Sequence, residues 1–317
     1  MAIESIFIIA AAPAPAVNVR QTLAARVRAA MADYWALTKP EINFLIALAT
    51  FAGFYVACLG GHRAFQVWLM THTLLGILLV ASGTGTLNQY IERRFDAQMH
   101  RTARRPVAAG RIKPSRALWF GIGLSAAGAV YLAVAANVLA SLLAVFTLAS
   151  YLFVYTPLKR ITPLCTFVGA LPGAMPPLIG YAAAVGRLSL EAWILYLILF
   201  LWQFPHFMAI AWMYREDYDR AGYIVLPQGE SRFRLVVLQT MLPLLVLILI
   251  DLVPTSPERL AFLYPVGALA LSVVFFYYGA VFVFRRSRSA ARRLLVASIL
   301  YLPLLLLLMI LCKAQRI

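Results

Sequence analysis

The sequence predicts an all-α polytopic membrane protein with nine spanning helices, on three observations. Of its 317 residues, 63% are hydrophobic and only 13% charged, which would leave a soluble fold too little polar surface to meet water. Apolar runs of roughly the 20 residues that a bilayer helix needs recur along the chain. The cations also alternate sides. If nine runs cross, every Lys and Arg falls on one face except Arg63, Arg187, Arg259, Lys313 and Arg316. By the positive-inside rule the N-terminus is cytoplasmic and the C-terminus external, and the net charge of +16 needs no nucleic-acid partner.

Residues 1–35 form an N-terminal cytoplasmic arm. Its first apolar run is followed, not preceded, by its charges, an order that argues against a cleaved secretory signal. Arg20, Arg26 and Arg28 among Ala, Val and Leu describe a basic amphipathic segment on the membrane surface; an Arg-rich, acid-poor start also fits a mitochondrial presequence. Residues 36–317 form a single membrane domain, with spans at 42–60, 66–90, 117–136, 138–155, 164–184, 190–212, 235–253, 260–284 and 294–312. Little more than Asn137 separates the third span from the fourth, which gives a tight hairpin. The fifth contains GALPGAMPPLIGYAAAVG, and its glycines and prolines predict a kinked helix packed inside protein. Cys58, Cys165 and Cys312 have no CxxC or His-linked spacing, so they read as buried thiols.

Chemistry concentrates on the cytoplasmic face. In LNQYIERRFDAQMHRTARRP (87–106), Asn88, Glu92 and Asp96 are four residues apart, on one face of a helix, with Arg101, Arg104 and Arg105 beyond them. Such a row suits a metal bridged to a polyanion. Its bland alternative is a helix end neutralised by Glu92–Arg93 or Asp96–Arg104 pairs. In WQFPHFMAIAWMYREDYDRAGYIVLP (202–227), aromatics lead to Arg215, Glu216, Asp217, Asp219 and Arg220, which form either a solvated loop or a second half of the same site. In YTPLKR (155–160), Lys159 and Arg160 either hold an anion or mark topology. His206, after Pro205, is either a hydrogen-bonded core histidine or a ligand. His62 and His72 lack suggestive neighbours, and His100 sits inside the first motif. Glu191, Asp251 and Glu258 are scattered singly on the external face as helix caps.

Together with LTKPEI (37–42) and YTPLKRITPLCTFVGALPGAMPPLIGY (155–181), these motifs make the chain similar to the UbiA superfamily of intramembrane prenyltransferases, and within it to the members that farnesylate haem. The likeness runs from about residue 33 to the last helix. It implies nine helices around a central cavity open to the cytoplasmic side and to lipid. The order of residues at the N-terminus, which gives no convincing presequence, favours a bacterial inner membrane over a mitochondrion. Mg2+ is the implied cofactor and farnesyl diphosphate and haem b the implied substrates, with oxidase-assembly or haem A synthase proteins as partners. Carried over by position, Asn88, Glu92, Asp96 and Asp217 are catalytic metal ligands. Arg101, Arg105 and Lys159 stand where cations hold the diphosphate, and Arg215 is grouped with them. Trp202 would suit the haem ring and His206 an axial position on its iron. The chain departs from the family pattern at Glu92, where Asp is common, at Glu41, where Arg is more usual, and at Cys165, where Asn is common. Its second motif lacks the DxxxD spacing, which leaves Glu216, Asp217 and Asp219 as rival ligands. Other readings are a prenyltransferase for a quinone precursor or chlorophyll, a non-catalytic haem-handling protein, and a transporter. The last would place acids at midplane and show an internal repeat, and the sequence does neither.

Overall fold

The computed structural model describes residues 23–59, 64–226, 229–251 and 263–314. Arg20, His62, Arg63, Pro227, Glu258, Arg259 and Arg316 lie outside them, as do the residues that bear on a leader. Among the described residues the regular structure is helical. In lipid a helix satisfies its own backbone groups, which is why uninterrupted apolar runs take this form.

Among the described residues, helix α1 (Leu23–Leu37) precedes nine spans long and apolar enough to cross a membrane: α2 (Pro40–Ala57), α3 (Val67–Asp96), α4 (Pro114–Ala135), α5 (Val138–Leu158), a fifth made of α6 (Cys165–Gly173) and α7 (Pro176–Val185), α8 (Leu190–Met213), α10 (Glu230–Asp251), α11 (Leu263–Arg285) and α12 (Arg288–Ala314). A short α9 (Arg215–Arg220) follows α8. The expected kink lies between Gly173 and Pro176, and this fifth span is the most buried of the described spans. At the α4–α5 hairpin, Ala140 N–H donates to the Asn137 side chain at 2.9 Å, and Asn137 Nδ2 donates to Ala182 O at 2.8 Å, so one residue caps α5 and ties it to α7.

The sequence ends the second span at residue 90, but α3 runs to Asp96. At 30 residues it is about 45 Å long, well beyond a hydrocarbon core of about 30 Å. The final turns therefore leave the apolar zone as helix. Hydropathy falls there because of the charges, while the backbone continues because those charges find partners from other elements.

Close helix crossings hold the bundle together. A Cβ on Gly53 of α2 would run into the carbonyl of Pro177, and one on Gly180 of α7 into that of Thr50. Small residues let backbones approach where lipid supplies no hydrophobic drive between helices. Gly180→Ala is expected to lower the stability of the purified protein by about 1–3 kcal/mol through overpacking. Gly123→Ala, where a Cβ meets nothing within 4 Å, is expected to leave the detergent melting curve unchanged or slightly raised. Equal melting of the two variants would contradict the crossing described.

Candidate active site

The final turns of α3 carry Asn88, Glu92 and Asp96 to one end of the bundle, where their relative exposures are 1%, 5% and 1%. Buried carboxylates demand charged partners, and neither local alternative supplies them. Lys159 Nζ donates to Glu92 Oε1 at 2.7 Å, and Arg105 Nη1 donates to both Asp96 carboxylate oxygens at 2.8 Å. Lys39 Nζ donates to Asn88 Oδ1 at 2.7 Å. Three cations from three separate segments thus converge on one helical row.

Each cation is delivered by a local device. Lys39, between α1 and α2, has φ 54° and ψ 62°, a left-handed conformation that costs a residue with a Cβ of the order of 1–3 kcal/mol. Pro40 fixes the start of α2 immediately behind it. Lys159 follows a π-helical turn, Ser150–Tyr155. Pro157 has no N–H to donate and its ring clashes with the preceding turn, and the wider π turn accommodates it. The Lys159 ammonium lies 4.6 Å from the Tyr155 ring centroid and 5.9 Å from that of Tyr223. Arg105 is positioned by the turns after α3, where Thr102 Oγ1 donates to Asp96 O at 3.0 Å.

The electrostatics match this crowding. Burial, reinforced by Arg105 and Lys159, pushes Lys39 down to about 7 against the pull of Glu92 and Asp96. Burial would also lower Lys159, but the Glu92 carboxylate holds its ammonium well above the ordinary value. The row thus holds two carboxylates, an amide oxygen and three nearby cations.

The second motif closes over this row without joining it. Ile224 N–H donates to Lys159 O at 2.7 Å, and Met99, Ala221 and Tyr223 form a small core with Phe95, Tyr218 and Val225. Asp217 is buried, and its oxygens accept from the His100 and Arg101 backbone N–H groups at 3.2 Å each and from Arg220 at 3.1 Å. Burial pushes its carboxyl up, but the two N–H donors and Arg220 hold it below the usual carboxylate range. Of its rivals, Glu216 is exposed and pairs with Arg215 at 3.5 Å, and Asp219 pairs with Arg232 at 3.7 Å.

Arg101 turns away from Asp96. Its guanidinium lies 4.9 Å from the Tyr214 ring centroid, and Nη2 donates to Tyr218 Oη at 3.4 Å. His206 accepts or donates at Nδ1 to Ser298 Oγ (2.8 Å) and stacks on Trp202, whose Nε1 donates to Ser298 O. Both side chains thus serve the α8–α12 packing. Lys39, Tyr155 and Tyr223 lie in motifs that carry the resemblance, but the sequence assigns none of them a role in the site; the K-P step that opens α2 is the available signal for Lys39.

The description "UbiA prenyltransferase family" belongs to a family model that matches residues 46–308. A protein named protoheme IX farnesyltransferase, from Solibacter usitatus, is 47% identical over 89% of this chain and 98% of its own length. The structure reported for digeranylgeranylglyceryl phosphate synthase superposes with a TM-score of 0.69 at 17% identity, covering 90% of this chain and 99% of that one. A UbiA homolog from Archaeoglobus fulgidus bound to GPP and Mg2+ gives 0.57 at 13% identity, covering 87% and 99%.

Removing one member of the buried pair leaves the other uncompensated, so Lys159→Met is expected to cost about 3–5 kcal/mol. Adding Glu92→Met in the same chain should recover most of that loss. Chemical denaturation in detergent measures both, and a double variant no more stable than the single would contradict the pairing.

Proposed function

The chain belongs to the UbiA prenyltransferase family, and from that premise we propose that it transfers the farnesyl group of farnesyl diphosphate to the 2-vinyl group of haem b, with addition of water, giving haem O and diphosphate. The observation that carries this reading is the buried row Asn88, Glu92, Asp96, neutralised by Lys39, Lys159 and Arg105. The acceptor follows from the 47% identity to the Solibacter usitatus protein named for protoheme IX.

The donor set fits magnesium. Among the described residues no three His, Cys, Asp or Glu side chains form a metal cluster, and Mg2+ is a hard ion that commonly takes one or two carboxylates and completes its shell with substrate phosphate and water. Asn88, Glu92 and Asp96 would hold it, with Asp217 positioning the loop beside it. When bound it supplies positive charge to the departing diphosphate.

The protein groups do the rest. Lys39, Lys159 and Arg105 neutralise the leaving group, so the allylic C–O bond of the substrate can break with its electrons going to diphosphate. The rings of Tyr155 and Tyr223 beside Lys159 keep water from the farnesyl C1 cation. The vinyl π electrons form the new C–C bond to C1, water adds to the remaining vinyl carbon, and a proton leaves. No residue acts as a covalent nucleophile.

We assign the site's end of the bundle to the cytoplasm of a cell with an inner membrane, with the C-terminus external. Residues 1–35 act as a surface arm and 36–317 as the prenyltransferase domain; Leu23, Val27, Met31 and Trp35, exposed on α1 at four-residue spacing, would meet lipid. Oxidase-assembly or haem A synthase proteins are the expected recipients of product.

Membranes holding the protein, given haem b, farnesyl diphosphate and Mg2+, are expected to form haem O by mass. Chelation with EDTA should abolish the product, and Asp96→Ala should cost at least about 100-fold. No product from the wild type, or full activity in Asp96→Ala, would sink the reading.

A further inference from the structure

A second cationic site lies outside the row on α3. A cavity of about 470 Å³ opens where the loop after α3, the end of α8, α9 and the first residue of α12 meet. Arg101, Arg215, Arg220 and Arg288 line it together with His100. Against these four guanidiniums stand two carboxylates, Glu216 and Asp217. Asp217 is engaged by Arg220 and two backbone N–H groups, and Glu216 by Arg215. Arg101 is in contact with tyrosine side chains, and Arg288 forms no ion pair among the described residues. The cup therefore carries two positive charges in excess, and gathering unmatched guanidiniums around one cavity is repulsive unless an anion completes it.

The cup is separate from the α3 row, where Lys39, Lys159 and Arg105 converge on Asn88, Glu92 and Asp96. We propose that the cup holds the two propionates of the haem acceptor, with Arg288 and Arg101 as specificity residues. The proposal rests on haem b being the acceptor. Its charge matches: two carboxylates against an excess of two. Its chemistry matches as well, since guanidiniums take carboxylates in a bidentate fork. Met213 and Tyr214 line the cavity at the end of the aromatic α8, so a flat apolar ring with an anionic edge can lie along that helix end while its carboxylates reach the arginines.

The test compares haem b with its dimethyl ester, which keeps both vinyl groups and loses both charges. The wild type should farnesylate haem b with a KM at least about tenfold lower than that for the ester, a tenfold factor being about 1.4 kcal/mol. Arg288→Gln should raise KM for haem b about tenfold, leave KM for farnesyl diphosphate unchanged and erase the preference over the ester. Arg101→Gln should do the same. Arg288→Lys, which keeps the charge but not the fork, should fall between. A rise in KM for farnesyl diphosphate instead would make the cup part of the diphosphate site and overturn the proposal. So would an unchanged preference for haem b in both Gln variants that melt like the wild type. A wild type that makes haem O equally well from acid and ester overturns the cup alone, whereas one that makes no haem O overturns the acceptor reading beneath it.

Discussion

The structure depends on two carboxylates buried at the end of a membrane helix. Glu92 and Asp96 are nearly inaccessible, and a carboxylate taken out of water without a partner costs several kcal/mol. The chain meets that demand from three directions: the left-handed junction before α2, the π turn at the end of α5, and the turns after α3. None of these features is favoured locally. A left-handed lysine, a helix widened to admit proline, and a polar loop folded onto a spanning helix make sense because each places one cation against the same row.

Such a network is a poor way to stabilise a fold. Replacing a buried ion pair by well-packed apolar side chains is often neutral or favourable, so the row persists for what it can exchange. On the proposed reading, the cations that hold these carboxylates are the groups that would meet the phosphate oxygens of the substrate. The second motif has a different task. With Asp217 satisfied by the backbone of the loop after α3 and by Arg220, the motif's contribution to the row is the ring of Tyr223 and the bond from Ile224 to Lys159.

Much of this was legible from the residues. Nine spans, the Asn137 hairpin, the break near Gly173 and the shared face of Asn88, Glu92 and Asp96 follow from apolar length, turn chemistry and a helical spacing of four. The pairings did not follow. Glu92 takes Lys159, 67 positions away, and not its neighbour Arg93, because adjacent residues on a helix point in different directions. Arg101 and Arg105 are also four residues apart, yet Arg105 holds Asp96 while Arg101 lies against Tyr214 and Tyr218. The helix that would have put them on one face ends at Asp96, so periodicity carries no information about the turns that follow. Lys39 was hidden for a related reason: a charge counted for topology looks the same in sequence whether it faces water or a site.

Glu92 is the departure from the resembled pattern that falls inside the α3 row, and the geometry gives it a physical meaning. One methylene advances a carboxylate by about 1.5 Å. The cation it meets sits on a segment fixed at both ends, by the π turn behind Lys159 and by the Ile224 N–H bonded to its carbonyl. The backbone of Lys159 is therefore not free to approach α3, and the reach between the two elements must come from side chains. A longer acid lets the ammonium stay over the Tyr155 ring while still meeting the carboxylate at 2.7 Å. Seen this way, Glu92 and the constrained backbone of Lys159 form one unit, and the extra methylene keeps the charge row closed without loosening the turn that supplies its partner.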